Sequence, residues 1–318
     1  MKIGLDIMGG DYAPAEAIKG IQMFFEQVTE SSVHLVLIGD ARMAAPYMSL
    51  IDKYQFRYSF VEAPQVIDMH EHPTKALKEK PDSSIAIGFG MLQAQKIDAF
   101  ISAGNTGAMM VGAMYTVKNI EGIQRPSIVS PIPREDGKFS LLLDAGANAD
   151  CKPENLVQFA QLGSLFMQRV EGIEKPRIGL LNIGEEEGKG NLLAQATYPL
   201  LKEHPQLNFI GNIEGRDVFL DKCDVVVCEG FVGNVVLKLA ESIYHLFKEK
   251  RNVQDDFLDH FNYERYGGTP ILGINSPVII GHGISHSLAF FNMINVAHKI
   301  ITSDLINALK DHFSEAVA

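Results

Sequence analysis

Asp98-Ala99-Phe100-Ile101-Ser102-Ala103-Gly104-Asn105-Thr106-Gly107 is the stretch that decides how this chain is read. Asp98–Ser102 is a short apolar run. It breaks into a turn of glycine, asparagine and threonine, and an apolar helical stretch follows. A run too short for a core helix, closed by a glycine turn, reads as a strand buried on both faces. The same unit recurs on either side. Lys2–Ile7 reads as a buried strand, followed by a helix over Ala13–Val28 with Ile18, Ile21, Phe25 and Val28 on one face. Val33–Ile38 is a further strand, ending at Gly39-Asp40. Downstream, Phe139–Leu143 leads into Asp144-Ala145-Gly146-Ala147-Asn148, and Arg177–Ile183 into Gly184-Glu185-Glu186-Glu187-Gly188. Asp224–Cys228 leads into a turn over Glu229–Asn234 and a helix from about Val235 to Lys250. Pro277–Ile280 leads into Gly281-His282-Gly283 and a last helical region. Alternation of this kind predicts the α/β class: a three-layer α/β/α architecture on a mainly parallel sheet. Arg251–Gly268 is the least regular part and reads as a helical excursion.

Composition bounds the function. The 318 residues are 46% hydrophobic, enough for one large α/β domain or two fused halves. A formal net charge of -11 argues against nucleic-acid binding, which needs a basic face. An apolar run long enough to span a bilayer is not seen, and Asp6 stands where a signal peptide would be apolar, so the chain reads as cytoplasmic. Cys151, Cys223 and Cys228 form no CxxC pair and suggest no disulfide framework.

In open parallel sheets, ligands bind beyond the carboxyl ends of the strands. Here those ends carry glycine, asparagine and acidic residues. Glycines let backbone N–H groups approach an anion, and helix N-termini add positive potential. Any one such turn is more often a plain βα connection. The case rests on several turns being polar at the same kind of position. Known signatures are missing. Gly88-Phe89-Gly90 lacks the third glycine of a dinucleotide fingerprint, and the Gly184–Gly190 loop is too short for a P-loop. The three adjacent glutamates have no His or Cys beside them, so neither a metal nor another cofactor is expected. Cys151 is weighed as a nucleophile and read instead as an ordinary buried thiol.

Taken in order, these motifs resemble the phosphate acyltransferase family PlsX. They include Asp6-Ile7-Met8-Gly9-Gly10-Asp11, Lys80-Pro81-Asp82-Ser83-Ser84, Ser102–Gly107 and Asp144–Asn148 with Cys151-Lys152-Pro153-Glu154. Leu181–Gly190, Gly211–Asp217, Gly230–Asn234 with Lys238, Tyr266-Gly267-Gly268 and Gly281-His282-Gly283 complete the series, across nearly the whole chain. The resemblance implies a fold like phosphotransacetylases and isopropylmalate dehydrogenases, as a single domain over 1–318 with the excursion near 251–268. It implies transfer of a long-chain fatty acyl group from acyl carrier protein to inorganic phosphate, giving acyl phosphate for phospholipid synthesis. It further implies a homodimer whose product feeds a membrane glycerol-3-phosphate acyltransferase. Two departures stand out: Ile284-Ser285-His286 replaces the usual Ser-Ser-Asp, and Glu229 stands where Asp is common.

On this reading Asn105, Asn148 and Asn234 orient phosphate and the acyl oxyanion, with His282 and Lys189 stabilising charge. Asp6, Gly9, Gly10, Gly104, Thr106, Gly146, Glu186, Gly233 and Lys238 are expected to line the phosphate and acyl sites. The carrier protein is acidic, so a local basic patch is needed: Lys75, Lys78 and Lys80, or Lys248, Lys250 and Arg251. Val253, Phe257, Leu258 and Phe261 are read as an apolar stripe on one helical face, meeting either a membrane surface or a partner subunit. The rivals are a coenzyme A-dependent phosphate transferase, a non-catalytic ligand binder and a nicotinamide dehydrogenase.

Overall fold

The computed structural model describes residues 1–28 and 32–315. The strands, in chain order, are β1 (Lys2–Asp6), β2 (His34–Gly39), β3 (Tyr58–Glu62), β4 (Ala99–Ser102), β5 (Ser127–Ile128) and β6 (Ser130–Pro133). There follow β7 (Phe139–Leu143), β8 (Arg177–Asn182), β9 (Asn208–Glu214), β10 (Val225–Val227), β11 (Gly268–Leu272) and β12 (Val278–Gly281). They divide between two compact units: Met1–Asn119 with Tyr263–Thr302, and Ile120–Asn262 with Ser303–Ala318.

In the first unit the strands run in the order β3-β2-β1-β4-β12-β11. All neighbours are parallel except the β11–β12 pair. Alternation along each strand sends side chains to both faces, and both faces are covered. Leu35, Leu37, Ile101 and Ile279 pack against Ile18, Ile21 and Phe25 of helix Ala15–Gln27 and Phe290 and Ile294 of helix Ser287–Thr302. Val36, Ile38, Phe100 and Ile280 face Ile85, Phe89 and Met109, from helices Ser84–Gln93 and Thr106–Gly112. This is the helix–sheet–helix layering expected. Each large apolar side chain so buried contributes about 1.5–3 kcal/mol.

The second unit carries β6-β7-β10-β8-β9, parallel apart from the β6–β7 pair. Helix Pro153–Arg169 lies on this sheet through Leu156, Phe159, Leu162 and Phe166. The last helix, Leu305–Glu315, returns to this unit although the sequence before it belongs to the first. Among the described residues no helix is long and apolar enough to cross a membrane.

Two expectations change. The region after β10 is not a turn: helix Gly230–Ile243 begins five residues before the expected Val235. The Glu229 side chain accepts the Val232 N–H at 2.8 Å and so caps a first turn rich in glycine. The Val253–Phe261 stripe is not one helical face either. Only Asp256–Asp259 is α-helical, and Phe261 is buried against Phe219 and Phe257. Of the stripe Val253 is exposed, and a longer set of exposed apolar side chains lies on the preceding helical run, at Phe231, Val235, Leu239, Leu246 and Phe247.

Helices Ala15–Gln27 and Ser287–Thr302 approach closely at Gly20. A Cβ there would lie 2.5 Å from Phe290 Cβ and 2.6 Å from the Ser287 carbonyl oxygen. Gly20→Ala is therefore expected to cost about 1–3 kcal/mol by overpacking, despite alanine's better helix propensity. Urea unfolding measures it; a midpoint equal to or above wild type would refute the close crossing.

Candidate active site

In each unit a buried aspartate organises the carboxyl end of a central strand. Asp6 closes β1 and is 1% exposed. Its Oδ1 accepts the Met8 N–H at 2.9 Å and its Oδ2 the Ser102 hydroxyl at 2.7 Å; Ser102 Oγ in turn accepts the Gly104 N–H at 3.0 Å. The turns after β1 and β4 are thereby tied together. A Cβ on Gly9 would stand 2.5 Å from Gly104 N and 2.8 Å from Asp6 Oδ2, so only glycine fits. Burial pushes the Asp6 carboxyl above its ordinary value, against hydrogen bonds from Ser102, Ser84 and the Met8 and Gly9 N–H groups that pull it down. Beside it lies a cavity of about 130 Å³ lined by Asp6, Gly9, Gly10, Asp11, Asp68 and Gly104 among others. Its size suits a small anion, but three of these side chains are acidic.

The sequence placed Asn105 and His282 here as functional groups. Asn105 is 4% exposed and its amide is engaged in holding the fold. Oδ1 accepts the Ala108 N–H at 2.9 Å, capping a helix, and Nδ2 donates to the carbonyls of Asp68, Met69 and Glu71. Thr106 is the exposed first residue of that helix. The turn bearing His282 is tied to the β1 turn, where Asp11 N–H donates to the Gly283 carbonyl at 2.7 Å beside Gly10. His282 Nδ1 accepts the Ile284 N–H at 3.4 Å, and its ring lies against Tyr263. His286, in the Ile-Ser-His departure, stacks on Tyr12 with centroids 4.5 Å apart.

In the second unit Asp144 follows β7 and is fully buried. Its carboxylate accepts the N–H groups of Ile128 (3.0 Å), Ala147 (3.2 Å) and Asn148 (2.6 Å), with Asn148 Nδ2 at 2.8 Å. Asn148 Nδ2 also donates to the Pro126 carbonyl, and the Asn148 carbonyl receives the Gly230 N–H at 2.7 Å. Gly233 packs its Cα face onto the Asp144 carbonyl, where any side chain would collide. Asn234 is exposed; its Nδ2 donates to the Ala145 carbonyl at 3.3 Å beside Gly146. Gly146, Asn148, Gly233 and Asn234 are thus brought together, around an Asp144 that the sequence reading passed over. Lys238 lies one turn beyond Asn234, paired with Glu241 at 2.7 Å.

The loop after β8 carries the other candidates. Asn182 Nδ2 donates to the Lys189 carbonyl, Asn212 Nδ2 donates to the Glu186 carbonyl, and Asn191 Oδ1 caps helix Leu192–Lys202 through the Ala194 N–H. Glu185 pairs with Lys222 and Glu187 with Lys202. Lys189 is exposed and enters no ion pair among the described residues. Beside this loop opens a cleft of about 490 Å³ between the carboxyl ends of β8 and β10, lined mainly by Leu, Ile, Val and Ala side chains.

The expected basic patches are partly neutralised. Lys80 pairs with Glu71 at 2.7 Å, Lys75 with Glu79 at 3.8 Å and Lys248 with Asp259 at 2.7 Å. Among the described residues no cluster of three or more His, Cys, Asp or Glu side chains could hold a metal.

Cys151 is half-buried, and its Sγ lies 3.6 Å from the Asn148 carbonyl. Burial, reinforced by the nearby Asp144 carboxylate, pushes its thiol up to about 11. Thiolate therefore forms only as pH rises toward 11, and a thiol at neutral pH is a weak nucleophile. Cys151→Ser is expected to keep turnover within about threefold of wild type, measured as thioester cleavage at pH 7.5; loss of activity with retained fold would overturn this.

Residues 1–308 match the family model described as Fatty acid synthesis protein. A relative from Dictyoglomus turgidum, described as "Phosphate acyltransferase", is 43% identical over 95% of this chain and 94% of its own. One of the same description from Desulfitobacterium hafniense (strain DSM 10664 / DCB-2) is 43% identical, covering 98% of this chain and 97% of its own. Among solved structures, a phosphotransacetylase from Streptococcus pyogenes superposes with a TM-score of 0.64 at 16% identity, covering 96% of this chain and 94% of that one. A branched-chain phosphotransacylase from Enterococcus faecalis V583 gives 0.61 at 13%, covering 94% and 98%. These structural likenesses establish the α/β fold.

Proposed function

The chain belongs to the fatty acid synthesis protein family, and on that premise we propose that it transfers a long-chain fatty acyl group from acyl carrier protein to inorganic phosphate, yielding acyl phosphate for phospholipid synthesis. The observation that carries the phosphate half is Lys189. The loop around it pairs Glu185 and Glu187 with lysines from elsewhere, while Glu186 and the Lys189 ammonium both stand at the surface outside any ion pair among the described residues. Lys189 is the one basic side chain of the Gly184–Gly190 loop, so a phosphate held there meets its ammonium.

In the reaction, a phosphate oxygen attacks the thioester carbonyl carbon. The carbonyl oxygen becomes an oxyanion, and the tetrahedral intermediate collapses with loss of the pantetheine thiolate, which takes a proton to leave as thiol. Desolvated and oriented, phosphate is a competent nucleophile, so positioning supplies much of the rate and no acyl-enzyme is needed. Oxyanion donors are each worth about 3–4 kcal/mol in a well-studied protease. Here the exposed amide of Asn234 and the backbone of the Gly146–Asn148 turn are the groups assigned that task, with His282 and Thr106 as candidates in the first unit. The side chains of Asn105 and Asn148 are assigned the positioning of those turns. Asp6, Gly9, Gly10, Gly104, Gly233, Glu186 and Lys238 shape or flank them.

Residues 1–318 act as one enzyme on this reading, as a homodimer in the cytoplasm with peripheral membrane attachment, delivering its labile product to a membrane glycerol-3-phosphate acyltransferase. Either Lys78 of the one candidate patch, or Lys250 and Arg251 of the other, is left to meet the acidic carrier protein.

Purified protein with palmitoyl carrier protein is expected to release thiol only when phosphate is present, and hydroxylamine to trap the acyl product. Release without phosphate would mark a thioesterase; activity confined to acyl coenzyme A would mark a different donor. Lys189→Ala should raise the KM for phosphate about tenfold, the loss of one charge-assisted contact of about 1.4 kcal/mol. An unchanged KM would remove Lys189 from the site.

A further inference from the structure

The cleft between β8 and β10 is used by nothing described so far. Its floor is Leu156, Leu180, Ala194 and Cys228, each no more than 8% exposed. Its walls are Leu181, Leu193, Val232 and Val236, all partly open to solvent. Polar side chains occur only as Asn182, Asn191 and Glu229. Two of these are already engaged in capping: Asn191 Oδ1 takes the Ala194 N–H and Glu229 Oε2 the Val232 N–H. Ile183, which lines the cleft, is 81% exposed, and the neighbouring Leu192 is 85% exposed. At about 490 Å³ the cleft falls within the range of small-molecule sites, and it lies at the carboxyl ends of the strands, where α/β sheets bind ligands.

We propose that this cleft is the seat of the substrate's acyl tail, an unbranched aliphatic chain, and that its depth sets the preferred chain length. The inference rests on the acyl-transfer reading. The lining favours a tail over a phosphate or a pantetheine arm, because no basic side chain lines it and its three polar side chains, Asn182, Asn191 and Glu229, are engaged with backbone groups. The position favours it too. Cys228 and Glu229 lead directly into Gly230, whose N–H binds the Asn148 carbonyl, and Cys228 Sγ lies 3.9 Å from the Asp144 carbonyl. The aliphatic cleft thus adjoins the turns assigned to the oxyanion. On the other side it meets Gly190, next to Lys189. A tail seated here has along its cleft both Gly190, which follows Lys189, and the Cys228-Glu229 strand end that leads into Gly230. Each methylene buried tightens binding about fourfold until the cleft is full.

The chain contains no tryptophan, so Ile183→Trp installs a single reporter at an exposed position on the cleft. Titration with 9,10-dibromostearate should quench it saturably. Tyr115→Trp, 73% exposed in the first unit, should show none of that saturable quenching. Equal quenching of both, or of neither, would overturn the proposal. So would displacement of the bromo acid by pantetheine at equal concentration, which would assign the cleft to the carrier arm. Ala194→Phe and Val236→Phe fill the floor and one wall. Each should lower the ratio of kcat/KM for palmitoyl over hexanoyl thioester at least tenfold; an unmoved ratio in both, with native thermal unfolding, sinks the idea. If the wild type forms acyl phosphate from no thioester, the acyl-transfer reading fails, and the quenching titration still decides whether the cleft takes a tail.

Discussion

A carboxylate that cannot leave its strand end is the constraint on which the second unit's site depends. Asp144 is fully buried and receives hydrogen bonds from three backbone N–H groups and the Asn148 amide. A buried charge is tolerable only when so compensated. The compensation in turn dictates the path of residues 144–148 and, through the Asn148 carbonyl, the starting point of helix Gly230–Ile243. Asp6 plays the matching part in the first unit through Ser102 and the Met8 N–H. Each unit thus fixes its glycine turns by satisfying an acid from within, which leaves ligand recognition to residues displayed further out.

That division separates what was legible in the sequence from what was not. The strands were readable because a doubly covered parallel strand is a continuous apolar run. Phe139–Leu143 appears with the expected bounds, and β1, β2, β4, β8, β10 and β12 within a residue or so. Tyr58–Glu62 and Asn208–Glu214 were missed: these outer strands are only partly buried, so their polar residues hide the run. The start at Gly230 was missed because two glycines there signal a turn, while the hydrogen bond that overrides them comes from residue 148, far away in sequence.

The site was legible as positions and not as roles. Asparagine at a strand end is equally suited to holding a ligand or a loop, and only the partners distinguish the two. Asn105 turns out to hold residues 68–71, and Asn148 holds its own turn, whereas Asn234 is exposed and its amide makes a single 3.3 Å bond to the Ala145 carbonyl. Asp144 and Ser102 carried a weak signal, a polar residue ending an apolar strand. Lys189 was legible as a charge-stabilising candidate. Its distinction lies in the pairing of its acidic neighbours with Lys222 and Lys202, which no local reading shows.

The interleaving of the two units bears on how the chain is made. β12 lies between β4 and β11 in the first unit's sheet, yet it is translated only after all of β5–β10. At ribosomal rates of about 5–20 residues per second, β4 waits on the order of ten seconds or more with a hydrogen-bonding edge unfilled. The second unit waits as well, since its helix Leu305–Glu315 follows β12 in the chain. Until β12 has been made, the nascent chain offers an open strand edge to chaperones and to other nascent chains.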